Sequence, residues 1–356
     1  MKGGRFMSRA SRRSFLKSAG ALTGCGPVIL GAQDKSGSAR PIVGEGEFRY
    51  EVIHDWGELP ARIQYGNTHG VCEDSQGHIY VHHTVNAGSE SSDSMVVFDA
   101  KGKFVKSWGN EFKGGAHGLH IRKEGSTEFL YLCDTKRGLV VKTTLDGEEV
   151  FTLGYPKESD FYKVDADGKQ LVKYSPTNLA IAPNGDIYVG DGYGSSYINL
   201  YNRKGEFLRT FGGKGSGEGQ LDCPHGITMD LRGPAPVLMV ADRANKRIQN
   251  FSLEGKHLGF VNNVSLPCHF GERKGVMVVP ELDARVSLLD RTNQVIARLG
   301  DDNAAGNWRD LRKEPREHFK PGKFVCPHGA CFDHAGNIFV VEWVEVGRVT
   351  KLRHVS

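Results

Sequence analysis

Three histidines are the first candidates for chemistry in this chain. His117, His225 and His328 each follow a small residue or proline and precede a glycine, in Ala116-His117-Gly118-Leu119, Pro224-His225-Gly226-Ile227 and Pro327-His328-Gly329-Ala330. A fourth copy, Thr68-His69-Gly70-Val71, lies upstream. One histidine of this kind is an ordinary structural residue. The same histidine at the same phase of several repeats means that the fold brings the imidazoles together, and converging imidazoles point to a metal.

The elements that position them form an internal repeat. Each unit has a first strand opened by His or its equivalent, then a Gly turn. A second strand follows that usually ends in an acid, and two further strands close on Gly. The copies run His69 to Gly109, His117 to Gly154, Thr177 to Gly213, His225 to about Val261, His269 to Gly300, and from His328 to the C-terminus. The acids are Asp134, Asp191, Asp242, Glu281 and Glu342, and His83 holds that phase in copy one. Copy six ends one strand short. The alternating segment from Glu47 to Ile53 supplies the missing outermost strand, so the expected fold is all-β, a six-bladed β-propeller closed by an N-terminal strand.

In a propeller the first strand of each blade lines the central channel. The opening position is occupied in turn by His69, His117, Thr177, His225, roughly His269, and His328. The second, fourth and sixth blades stand about 120° apart. His117, His225 and His328 are therefore expected to face one axial ion, a three-imidazole set with an open position that suits zinc or another divalent transition metal. His69 and His269 are expected as additional pocket residues.

Bulk properties narrow the function classes. The 356 residues carry 46 Lys+Arg against 42 Asp+Glu, with no basic run beyond the N-terminus, so nucleic acid is not an expected partner. No window after residue 40 is apolar enough to span a bilayer. Residues 1–40 read as an address and linker, and 41–356 as the propeller. Ser11-Arg12-Arg13-Ser14-Phe15-Leu16-Lys17 resembles a twin-arginine export signal, followed by a weakly apolar stretch from Ala19 to Ala32. Export to the periplasm or beyond is expected. Cleavage near Ala32 is favoured over lipidation at Cys25 in the lipobox-like Leu22-Thr23-Gly24-Cys25. The other cysteines, Cys72, Cys133, Cys223, Cys268, Cys326 and Cys331, show no zinc-finger spacing, and packing is their expected role.

The repeat resembles the NHL family of propellers, carried by Phe207-Leu208-Arg209-Thr210-Phe211-Gly212 with Gly219-Gln220-Leu221, and by the segment Val240 to Gln249. That resemblance covers nearly all of the chain from Gly66 onward and implies a fold, not an activity. Within these propellers the chain resembles the catalytic core of the peptidyl-α-hydroxyglycine α-amidating lyases. The segment Ile187 to Tyr193, then Cys223-Pro224-His225 and Val240-Ala241-Asp242-Arg243, carry it. The resemblance implies cleavage of a C-terminal hydroxyglycine to peptide amide and glyoxylate. It implies zinc on His117, His225 and His328, with Tyr193 as catalytic tyrosine and Arg243 as an active-site arginine. Tyr193 acts as base where a nearby cation depresses its pKa, and Arg243 holds the substrate carboxylate.

The chain departs from that pattern in four places. Tyr65-Gly66-Asn67 stands where the family has its other arginine, and Arg62 is out of phase. Gly329 replaces the family's calcium-holding Asp, so calcium is not expected. Gly194 replaces a disulfide cysteine. His69 and His269 have no counterpart. The alternative reading is a non-catalytic NHL propeller that binds a protein, peptide or glycan. A calcium-dependent lactonase or esterase is disfavoured, because such sites need channel carboxylates and asparagines rather than histidines.

Overall fold

A computed structural model describes residues 40–355. The expected export signal, its cleavage site and Cys25 lie outside the described residues. Six antiparallel sheets carry the six repeats, five of them built from sequential strands and the sixth joining N-terminal to C-terminal strands. Blade one comprises Thr68–Glu73, Ile79–His83, Met95–Phe98 and Phe104–Trp108. The inner strands of the next five blades are Ala116–Glu124, Asn178–Ile181, Pro224–Asp230, Gly271–Arg273 and Pro327–Phe332.

Ring closure follows the sequence reading, with two differences. Tyr50–Ile53 pairs antiparallel with Arg348–His354, Tyr50 opposite His354 and Ile53 opposite Lys351, as the outer strand of blade six. The strand is shorter than expected, because Gly46–Phe48 forms a 3₁₀ turn. A short strand that the sequence reading lacked, Ile42–Val43, then pairs with Tyr50–Glu51. Blade six is thereby a five-stranded sheet that binds the two ends of the described chain together.

The apolar core lies between the blades. Val71, Val81 and Phe98 of blade one pack on Phe339, Val341 and Val349 of blade six. Tyr80, Met95 and Val97, from the opposite face of blade one, pack on Leu119, Leu130 and Leu132 of blade two. The same arrangement recurs at the other four interfaces. Each strand alternates its side chains between two faces. A blade buried on both faces therefore has apolar residues at nearly every position, as in Ile79-Tyr80-Val81 and Ile187-Tyr188-Val189. The six cysteines among the described residues are free, and Cys72, Cys133 and Cys331 lie in strands as expected.

The second strand of blades two to six ends in a buried acid, and in blades three to six that acid ties down the approach to the first strand. Asp191 accepts the amide of Ser175 at 2.7 Å, and Asp242 that of Asp222 at 2.7 Å. Glu281 accepts from Ser265, and Glu342 from Val325 at 2.7 Å. In blade two the missing Cβ of Gly115 makes room, since one there would stand 1.9 Å from Asp134 Oδ1. Arginines complete several carboxylates, namely Arg137, Arg247, Arg285 and Arg348. In blade one His83 fills this place, its Nδ1 accepting the amide of Val85 at 3.1 Å.

Two histidines away from the channel openers make stability depend on pH. Burial pushes the imidazoles of His83 and His54 down to about 3, with Arg348 adding to the effect on His54. Both are neutral in the folded protein, whereas in the unfolded chain they take up protons below about pH 6.5. Their stabilisation is therefore complete above pH 6.5 and is lost as the pH falls from there toward 3. Each group should cost about 2 kcal/mol at pH 5 relative to pH 7. Urea unfolding at the two pH values measures the difference, and His54→Gln should remove its share of the drop.

Candidate metal centre

The histidines are aimed by a local irregularity in each inner strand. Regular pairing shifts between Thr68 and Gly70, Ala116 and Leu119, Pro224 and Ile227, and Pro327 and Gly329. Each His-Gly step therefore sits in a bulge, which bends the strand and redirects one side chain. The glycine is required by the neighbouring blade. A Cβ on Gly118 would stand 2.6 Å from the Thr177 carbonyl oxygen, on Gly226 2.5 Å from that of Cys268, and on Gly329 2.6 Å from that of His69.

Those three carbonyls are the ones that the adjacent histidines use. His117 Nδ1 donates to Thr177 O at 2.6 Å, His225 Nδ1 to Cys268 O at 2.8 Å, and His328 Nδ1 to His69 O at 3.0 Å. A carbonyl only accepts, so each Nδ1 carries the proton and each Nε2 keeps a free lone pair. Burial lowers all three pKa values, that of His117 to about 3, so the rings are neutral at physiological pH. Neutral imidazoles with the far nitrogen tethered to a carbonyl are suited to ligate a metal.

The imidazoles meet on the channel axis. Ring centroids lie 4.8 Å apart for His117 and His225, 4.6 Å for His225 and His328, and 4.9 Å for His117 and His328. His69 joins them, 4.6 Å from His117 and 4.4 Å from His328. The trio expected from the sequence was His117, His225 and His328. The group whose donor atoms all lie within 4.8 Å of one another is instead His69, His117 and His328, a set able to hold a metal ion. His69 enters that group because it turns its Nδ1 toward His328 Nε2 at 3.3 Å. His269 is not in this cluster. Its Nδ1 meets the Ala330 carbonyl at 3.2 Å, ahead of an inner strand that begins only at Gly271.

Tyr193 and Arg243 lie beside the imidazoles. The Tyr193 hydroxyl is 3.1 Å from His225 Nε2 and 3.2 Å from His117 Nε2, and Arg243 Nη1 donates to it at 3.4 Å. The phenol has one proton, so it donates to one Nε2 at a time. Burial raises the Tyr193 pKa, and Arg243 opposes that rise without overcoming it. The tyrosine is thus protonated at neutral pH in this state, contrary to the expected depression. The other partner of Arg243 is a thiol, Cys223 Sγ at 3.2 Å. The neighbouring carboxylate, Asp242, is taken by Asp222, Asn245 and Arg247. Arg62, by contrast, stacks over Phe104.

His120 was not singled out from the sequence. Burial lowers its pKa to about 4, with His269 adding to the effect. It follows His117 by three positions on the same inner strand, which was the available signal.

The close contacts yield a stability test. Gly118→Ala forces a Cβ against the Thr177 carbonyl and should cost about 2–4 kcal/mol. Gly154→Ala, whose nearest neighbour would be Leu139 Cδ2 at 3.7 Å, should change stability by less than about 1 kcal/mol. Urea unfolding of the two variants compares them.

No protein-family model matches the sequence. The chain is 29% identical over 222 residues to human NHL repeat-containing protein 3, covering 60% of each. It is 28% identical over 219 residues to peptidyl-α-hydroxyglycine α-amidating lyase 1 of Drosophila melanogaster, covering 53% of the chain and 38% of the fly protein. The chain thus matches less than two thirds of the length of these relatives. Among solved structures, a gluconolactonase from Xanthomonas campestris superposes with a TM-score of 0.58 at 13% identity, over 88% of this chain and 95% of that one. A virginiamycin B lyase from Staphylococcus aureus gives 0.52 at 14%, over 86% and 100%. These likenesses bear on the fold alone. The chain is a six-bladed β-propeller with homologues among NHL repeat-containing proteins and amidating lyases at about 28% identity.

Proposed function

We propose that this protein is a metal-dependent lyase that acts on a small hydroxy-acid group, with C-terminal α-hydroxyglycine as the substrate class. The supporting observation is the set of three neutral imidazoles, His117, His225 and His328, each fixed by an Nδ1–H bond to the next blade that leaves its Nε2 lone pair free. These residues would hold the ion, zinc being the best match to an all-imidazole donor set. Such an ion supplies Lewis-acid polarisation of a substrate oxygen.

The remaining steps belong to the chain's own groups. Arg243 is a cation without a carboxylate among its hydrogen-bond partners. It is therefore available to bind the substrate carboxylate, which fixes the hydroxyl-bearing carbon near the imidazoles. The reaction removes the hydroxyl proton, forms the carbonyl of glyoxylate, breaks the C–N bond and returns a proton to the amide nitrogen. Tyr193 Oη, between His117, His225 and Arg243, is placed to exchange that proton. The 28% identity over 219 residues to an amidating lyase supports the same reading. The resemblance of Ser11-Arg12-Arg13-Ser14-Phe15-Leu16-Lys17 to an export signal accords with a secreted peptide-processing role.

Purified protein should contain about one zinc or similar ion per chain, and His225→Ala should lower metal affinity by at least 10-fold. An α-hydroxyglycine peptide should be converted to glyoxylate. Tyr193→Phe should lower kcat about 10²- to 10⁴-fold with metal content unchanged, and Arg243→Ala should act mainly on KM. Metal without glyoxylate release would exclude the lyase. Absence of metal would favour a binding platform of the kind that NHL propellers also form.

A further inference from the structure

The opener of each blade reaches forward to the backbone of the next, with one exception. His117 reaches Thr177 O, Thr177 Oγ1 donates to Pro224 O at 2.7 Å, and His225 reaches Cys268 O. His269 reaches Ala330 O, and His328 reaches His69 O. By this pattern His69 should donate to the His117 carbonyl. That carbonyl is close by, 3.2 Å from where a Cβ on Gly70 would stand. His69 instead turns back, and its only side-chain hydrogen bond among the described residues is from Nδ1 to His328 Nε2 at 3.3 Å. It is the one imidazole of the four whose Nδ1, not its Nε2, faces the cluster.

The protons in this contact are fixed by the tethers. His328 Nδ1 carries its proton toward His69 O, so His328 Nε2 is the acceptor and His69 Nδ1 the donor. Moving the His69 proton from Nδ1 to Nε2 frees two lone pairs at once, one on each ring, without net proton release. The transfer is a change of tautomer within one ring and moves no charge off it.

We propose that His69 Nδ1 is a fourth, displaceable donor to the ion held by His117, His225 and His328. It binds when no substrate is present and yields its place to the substrate's hydroxyl oxygen. This rests on the metal reading above. The three Nε2 donors are locked by carbonyls of the neighbouring blade, a tether that raises metal affinity and fixes the ring. His69 has no such tether, so it is the ligand that leaves. The chain thus fills, at rest, the position that a three-histidine centre leaves to water.

Cobalt(II) added to metal-free protein reads out the donor set by its visible absorption, independently of turnover. His69→Ala should shift the cobalt band and weaken cobalt binding about 10- to 100-fold. His69→Asn, closer in size, guards against a folding defect and should do the same. Glycolate, a minimal hydroxy acid, should move the wild-type spectrum to that of His69→Ala with glycolate, because His69 is then absent from both. Unchanged cobalt affinity and band in both His69 variants, with binding lost in His225→Ala, would overturn the fourth donor and leave the metal reading intact. If wild-type protein takes up no cobalt, zinc or copper, both fall.

Discussion

The site depends on the buried carboxylates that end the second strands of blades two to six. A buried charge is tolerated only when its lone pairs are filled. In blades three to six they are filled by backbone amides from the loop that leads into the first strand of the same blade. The acid therefore fixes where that strand begins. Because the opener stands at its first residues, each acid also fixes where an opener side chain leaves the backbone. Removing Asp242 or Glu342 would strand Arg247 or Arg348 and release the loop in front of His225 or His328.

A second constraint acts at the openers. The His-Gly step is one device with two parts. The glycine admits the neighbouring carbonyl to within van der Waals contact, and the histidine before it uses that carbonyl to lock its Nδ1. The bulge supplies the turn that sends the ring to the axis. Four rings then share a small volume with no carboxylate among their hydrogen-bond partners. Desolvation keeps them neutral, which is the state that a metal requires.

His69 departs from this rule in the blade that also lacks the acid. His83 stands there in place of Asp or Glu, and its Nδ1 serves Val85 rather than the loop that precedes His69. Tyr65 packs edge-on against His83. Blade one thus positions its opener by packing, where blades three to six use charge.

The fold was legible because blades buried on both faces force a recurring pattern: apolar second strands, an acid, a Gly turn, then a His-Gly or its equivalent. The closing strand was legible from its alternation, though not the 3₁₀ turn at Gly46–Phe48 or the added pair at Ile42–Val43, whose sequences carry no period. Repeat phase placed His69, His117, His225 and His328 at one rim, and it also included His269. Distances were not legible, because they depend on which carbonyl each ring meets across a blade interface, a contact between residues 43 to 259 positions apart. The sequence by itself determined the propeller, the closure and the residues available for the site. Only the tertiary structure decided that His269 stands aside, that Tyr193 is protonated beside two imidazoles, and that His69 faces inward. Side-chain direction, proton position and burial are properties of the packed interface, and no single repeat contains one.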